Sequence, residues 1–211
     1  MFRVMLQAQW KWCRLVIAAG VCAGATLPLL ALHEVLSPAE LLARVRGWGT
    51  VYPVLAAAMG LLTAISAWAP DHRGRHVHAL TLPIPRRRYV LLKYLAGLVL
   101  LAAPILAVLV GAFVATALAT IPDGLHSYPV ALTIRFALAV AVAYSIFFAI
   151  SGATARTAGY IIGVLSAAVA VQVIANAAGI PLRLDILVEL AVFQWPGPLA
   201  IFTGHWMLID V

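Results

Sequence analysis

Five long apolar runs dominate this chain, at residues 15–32, 50–69, 89–119, 129–153 and 158–178. Each is near or above the roughly 20 apolar residues that a helix needs to cross a hydrocarbon layer about 30 Å thick. No water reaches backbone N–H and C=O groups in that layer, so a helix, which pairs them internally, is the structure such a run must take. The remaining composition agrees: 64% of the 211 residues are hydrophobic and only 10% are charged, too few charges to wet the surface of a soluble domain. The expected architecture is therefore an all-α polytopic membrane protein, one transmembrane domain over 1–211. The third run is long enough to tilt or to project beyond the bilayer, and Pro104 is a candidate kink within it. A sixth stretch, 186–211, carries Glu189 and is interrupted by Trp195, Pro196, Gly197 and Pro198. It reads as a re-entrant or interfacial hairpin, or as a broken sixth helix. No basic cluster follows Asp210, which favours the hairpin, with a sixth helix expected to be missing from this sequence.

Charge gives the orientation. With the N-terminus in the cytoplasm, Arg3, Lys11, Arg14, Arg73, Arg75, Arg86, Arg87, Arg88, Lys93 and Arg156 fall inside, ten of the fourteen basic residues. Arg44, Arg46, Arg135 and Arg183 fall outside, and of the seven acids only Asp71 is inside. Basic residues in short loops mark the cytoplasmic side. The net charge of +7 is thereby explained by membrane orientation, and nucleic-acid binding is not expected because no soluble domain carries a basic face.

Residues 1–14 mix Trp10, Trp12 and aliphatic groups with Arg3, Lys11 and Arg14, a composition suited to an amphipathic helix in the headgroup layer. A cleavable signal peptide is a poorer reading, because the apolar run continues past Ala23, Gly24 and Ala25 to Leu32. Cys13 and Cys22 are too far apart on one helix to bridge. On the outer side Ser37, Pro38 and Glu40 form a helix start, with Ser37 as N-cap, so a short helix to Arg46 is expected there.

One strongly polar, basic island interrupts the apolar chain between the second and third runs. It has room for a short helix over 71–82, a Pro83-Ile84-Pro85 stop and a cationic re-entry at Arg86, Arg87 and Arg88, more than a turn requires. A docking surface for a cytoplasmic partner is the expectation. Asp71 to Arg75, then His78, Leu80, Leu82, Pro83, Ile84, Pro85 and Arg86, followed by Lys93, resembles the loop after the second helix of ABC-2 type transporter permeases. The order of parts over 1–178 is similar to that family too, although its members usually have six spans and often a glutamate where this chain has Asp71.

The resemblance implies a permease subunit in a bacterial inner membrane, working with a second permease chain (identical or not) and with a dimer of ABC ATPase subunits. It implies that 71–88 is the coupling loop, with Asp71, Arg75, Val77, His78, Leu80, Pro83 and Pro85 meeting the ATPase. The direction implied is export. The chain has no G-x-x-x-x-G-K-[ST] loop to cradle phosphates, so ATP and magnesium are expected on the partner and no cofactor here. A hydrophobic or lipid-like substrate suits apolar spans joined by short outer loops.

Arg86, Arg87, Arg88 and Lys93 read first as lipid and orientation anchors. Tyr144, Gln172 and Asn176 are polar groups within spans; interhelical hydrogen bonding accounts for them, and lining a substrate path is the sharper alternative. His72 and His76 have two-ligand helical spacing but no third ligand of clear geometry, so no metal is expected. His33, His126 and His205 lie at segment ends, which argues against haem. Two other classes remain: a non-catalytic membrane subunit of a respiratory or other energy-transducing complex, and an accessory membrane anchor.

Overall fold

A computed structural model of the chain describes residues 2–32, 37–73, 85–119, 121–122, 124–152, 160, 163–164, 167, 171, 199–204 and 206–210. Its elements are α1 (Phe2–Ala31), α2 (Pro38–Gly49), α3 (Val51–Arg73), α4 (Arg86–Leu118), β1 (His126–Ser127), α5 (Pro129–Gly152), a 3-10 turn at Ala200–Phe202 and β2 (Ile209–Asp210). The chain divides into two compact units, Met1–Phe148 with His205–Val211, and Ala149–Gly204.

Four helical segments are long and apolar enough to cross a membrane: α1, the α2–α3 arm over Ala39–His72, α4 and α5. The expected count of five plus a sixth segment is thus four among the described residues. Most of the expected crossing at 158–178 lies outside them, although Tyr160, Gly163, Val164, Ala167 and Val171 are helical. In the described part of 186–211 the backbone forms a turn, the 3-10 turn and β2 rather than a membrane helix.

Two boundaries differ from expectation for identifiable reasons. No break separates residues 1–14 from the first span: α1 is one helix of 30 residues, about 45 Å at 1.5 Å per residue. Gln9 and Cys13 are buried in the bundle, while the other residues of 2–14 are half-buried or exposed. Likewise Asp71, His72 and Arg73 continue α3 instead of opening a new helix, and Pro70 is accommodated inside it. Elsewhere the local signals act as read. Ser37 Oγ accepts a hydrogen bond from the Glu40 N–H at 3.3 Å and starts α2, and Pro85 precedes α4, its carbonyl accepting from the N–H groups of Arg88 and Tyr89 at 2.9 and 3.1 Å.

Helix association in a bilayer rests on close packing, because lipid tails compete for every apolar contact. The most extensive helix pair here, α1 with α4, shows how. A Cβ on Gly20 would come within 3.3 Å of the Pro104 ring, and one on Gly24 within 3.0 Å of Val108. A Cβ on Gly111 would lie 2.6 Å from the Ala25 carbonyl oxygen and 2.9 Å from its Cα. The backbones touch there, and α3 meets α5 in the same way, since a Cβ on Gly60 would sit 2.6 Å from the Tyr144 backbone nitrogen. The two ends of the first unit are held differently. At the α2 end, Tyr128 N–H donates to the Leu208 carbonyl at 2.8 Å, and β1 pairs antiparallel with β2, His126 opposite Asp210. The C-terminal segment is drawn close to the α2–α3 junction, where Trp206 stacks on Tyr52 at 6.5 Å between ring centres.

Gly111→Ala should destabilise the protein by about 1–3 kcal/mol, because backbone atoms of α1 must move to admit the methyl. Gly47→Ala, at an exposed helix position with nothing within 4 Å of the added atom, should be neutral or stabilise by up to about 1 kcal/mol. Thermal unfolding of the two variants in one detergent measures the contrast.

Candidate functional site

The opposite end of the bundle is where the chain leaves α3 and enters α4, on either side of residues 74–84. Trp68 and Asp71 are three positions apart on the last turns of α3, and Tyr89 and Lys93 four apart on the first turns of α4, so each pair shares one helix face. The two faces meet. Lys93 Nζ forms an ion pair and hydrogen bond with Asp71 Oδ2, and the two residues are only 3% and 5% exposed. Tyr89 O–H donates to both carboxylate oxygens, at 3.0 and 3.1 Å. Nζ also lies 4.3 Å from the centre of the Trp68 ring and 5.3 Å from that of Tyr89.

This arrangement satisfies what burial of opposite charges demands. The carboxylate receives an ammonium and a phenol, and the ammonium receives a carboxylate and an aromatic face. Two further hydrogen bonds tie the cluster to the other helices. Gln9 Nε2 on α1 donates to the Lys93 carbonyl at 2.9 Å, and Trp68 Nε1 donates to the Phe148 carbonyl on α5 at 3.1 Å. Beside it Tyr94, Tyr144 and Phe148 pack ring against ring at 5.3–5.4 Å. Tyr94 and Ser145 share a 2.8 Å hydroxyl hydrogen bond. All four crossing segments therefore converge on the base of the 74–84 segment.

Of the residues expected to meet an ATPase, Asp71 is buried in this ion pair, and Pro85 is exposed at the start of α4. Arg75, Val77, His78, Leu80 and Pro83 lie outside the described residues. Arg86, Arg87 and Arg88 are all exposed in the first turn of α4, where a helix N-terminus disfavours cations. Lys93, grouped with them in sequence as a lipid anchor, is placed differently: five to seven residues further along α4, it is buried and paired with Asp71. Tyr144 is fully buried, its hydroxyl donating to the Tyr94 carbonyl at 3.3 Å. Gln172 and Asn176 lie outside the described residues. Among the described residues no group of His, Cys, Asp and Glu could hold a metal ion.

Sequence reasoning singled out Asp71 and Lys93 but assigned them to different tasks. The signal for pairing them was present: Asp71 is the single acid in a stretch crowded with basic residues, and Lys93 lies five to seven residues, about one and a half to two helical turns, beyond the arginines of the re-entry.

The geometry defines a bundle of membrane-crossing helices whose basic, loop-bearing end is cross-braced by buried polar contacts. Residues 40–204 match the family described as ABC-2 family transporter protein. With well over half its length matched, the chain belongs to the ABC-2 family of transporter permeases, the membrane transport subunits of ABC transporters, which associate with an ABC ATPase. Neither a curated protein nor a solved structure matches it.

Asp71→Asn or Lys93→Met alone should each cost about 3–5 kcal/mol, because either leaves a buried charge uncompensated. The double variant Asp71→Asn/Lys93→Met should recover most of that loss, so a double-mutant cycle read by thermal unfolding should show strong coupling. Additive losses would mean that the two groups act independently.

Proposed function

We propose that this chain is the permease subunit of an ABC exporter that moves a hydrophobic or lipid-like substrate, coupled to a separate ATPase through residues 71–88. Two permease chains enclose the pathway, and a pair of ATPase subunits carries ATP and magnesium. The N-terminus faces the cytoplasm in a bacterial inner membrane, as the ten-to-four division of basic residues supports.

The observation that carries this reading is the braced base of the loop. A coupling segment is useful only if force applied to it reaches the spans. Asp71 and Lys93 lock the end of α3 to the start of α4, and Gln9 and Trp68 extend the brace to α1 and α5. When the ATPase subunits close, the loop and all four segments turn as a body, a rigid-body transition rather than local bending. Exposed Arg86, Arg87 and Arg88 hold the anionic headgroups of the cytoplasmic leaflet while Val77 and Leu80 supply apolar anchors to the ATPase.

Val77→Asp or Leu80→Asp should cut ATP-driven transport by about tenfold or more, the loss of one interface anchor of ~1.4 kcal/mol or above. Thermal stability of the isolated chain should not change. The test is to purify the chain with its partners, reconstitute it in vesicles, and follow ATP hydrolysis and export of a fluorescent lipid together. Full transport by a folded Leu80→Asp variant would remove the coupling role. Co-purification with redox subunits and no ATPase would favour a structural role in an energy-transducing complex.

A further inference from the structure

α1 and α4 run parallel in a fixed register. Gln9 meets the Lys93 carbonyl, Gly20 packs on Pro104 and Gly24 on Val108, each an offset of 84 residues. Lys11 and Arg14 of α1 are therefore level with Leu95 and Leu98 of α4. Around that level α4 turns Leu91, Leu95 and Val99 outward, 56%, 41% and 51% exposed, as a helix against lipid does. On α1 the outward residues are cations. Arg3, Trp10, Lys11 and Arg14 are all exposed and fall within a sector of about 100°, on the side away from buried Gln9 and Cys13. One depth of the first unit thus has an apolar side and a cationic side.

That depth is within the membrane. α1 is about 45 Å long and the hydrocarbon layer about 30 Å thick, so about 15 Å of the helix overhangs. Arg14 lies about 18 Å from the start of α1. Even with the whole overhang at this end, its backbone is inside the apolar layer. Among the described residues no carboxylate pairs with Arg3, Lys11 or Arg14, and Asp71, the acid at this end, is taken by Lys93. Ionisable residues at membrane depth are costly, and they mark water-filled cavities or paths for charged groups. Beyond Arg14 the same side of α1 carries exposed Ala18, Cys22 and Leu29, an apolar continuation of the cationic stripe. A ligand that fits this side has an anionic head and an apolar tail.

We propose that the substrate of this permease is an anionic amphiphile, its acidic headgroup received by Arg3, Lys11 and Arg14 and its apolar part lying against Ala18, Cys22 and Leu29. This rests on the exporter reading above and narrows its substrate class. A resident anionic lipid keeps its phosphate in the headgroup layer, short of the depth of Arg14. Cations spaced along an upright helix suit a headgroup that moves inward. A zwitterionic lipid brings an ammonium against the same three cations and is disfavoured.

The chain with its ATPase is reconstituted in vesicles and given fluorescent phosphatidylglycerol or phosphatidylcholine of the same chain length. ATP-driven movement of the glycerol lipid should be at least about tenfold faster. Arg14→Gln or Lys11→Gln should raise its KM about tenfold, as loss of a charge-assisted contact gives. Arg14→Lys should keep most of the preference, and Arg46→Gln, exposed on α2, should keep all of it. Equal movement of the two lipids, or a preference indifferent to both Arg14→Gln and Lys11→Gln, overturns the headgroup inference and leaves the exporter reading standing. Movement of neither lipid overturns the exporter reading and the substrate assignment with it. Native mass spectrometry of the purified chain then reads the surface itself: glycerol lipid that binds through Arg14 without ever moving is a resident lipid, not a substrate.

Discussion

The ion pair between Asp71 and Lys93 is the contact on which the loop end of this protein depends. Ionised groups are expensive in or near hydrocarbon, and one left alone is worse than none. The cost is met by enclosing each charge: the carboxylate by Lys93 and the Tyr89 hydroxyl, the ammonium by Asp71 and the Trp68 face. Because the pair closes the ends of α3 and α4, it also sets where the intervening chain leaves and returns. A charged pair at this point has a mechanical property that an apolar contact lacks. Helices packed only through side-chain methyls slide past one another at small cost, whereas separating this pair exposes two unpaired charges.

Packing along the spans serves the same end by a different force. Gly20, Gly24 and Gly111 let α1 and α4 approach until backbone touches side chain and backbone, and Gly60 does so for α3 and α5. Such seams tolerate rotation of the bundle as a whole and resist changes within it. At the far end Gly49 lets the Trp206 backbone approach α2, and a two-residue strand pair and the Tyr52–Trp206 stack also hold the C-terminal segment, with a polar cavity between that segment and α5. One end is thus closed by a buried ion pair, and the other leaves a polar cavity.

Much of the fold was legible because a bilayer leaves few choices. Start signals also spoke for themselves: Ser37 caps α2, and Pro129 opens α5. Legibility failed where a segment's partners were decisive. Residues 1–14 have the composition of an interfacial helix, and nothing in that composition shows that α1 is continuous or that Gln9 meets the Lys93 carbonyl. Pro70 marks a helix end by local rules, but α3 runs on to Arg73, and Asp71 beyond the proline meets Lys93 and Tyr89. Lys93 shares the charge of Arg86, Arg87 and Arg88 and is set apart in sequence only by its place further along α4, whereas the structure shows it facing Asp71.

The sequence by itself determined that the chain holds helices long and apolar enough to cross a membrane, and its match over residues 40–204 places it in the ABC-2 family. The first follows from length and hydropathy, properties that each segment carries alone. Tertiary structure decided which polar groups are paired, which tyrosines are packed away, and that Arg135, Trp206 and Asp210 share one cavity across seventy or more intervening residues. Such contacts depend on helix rotation and on the approach of distant backbones. No local pattern encodes either of these, because both are settled by the mutual fit of all the helices at once.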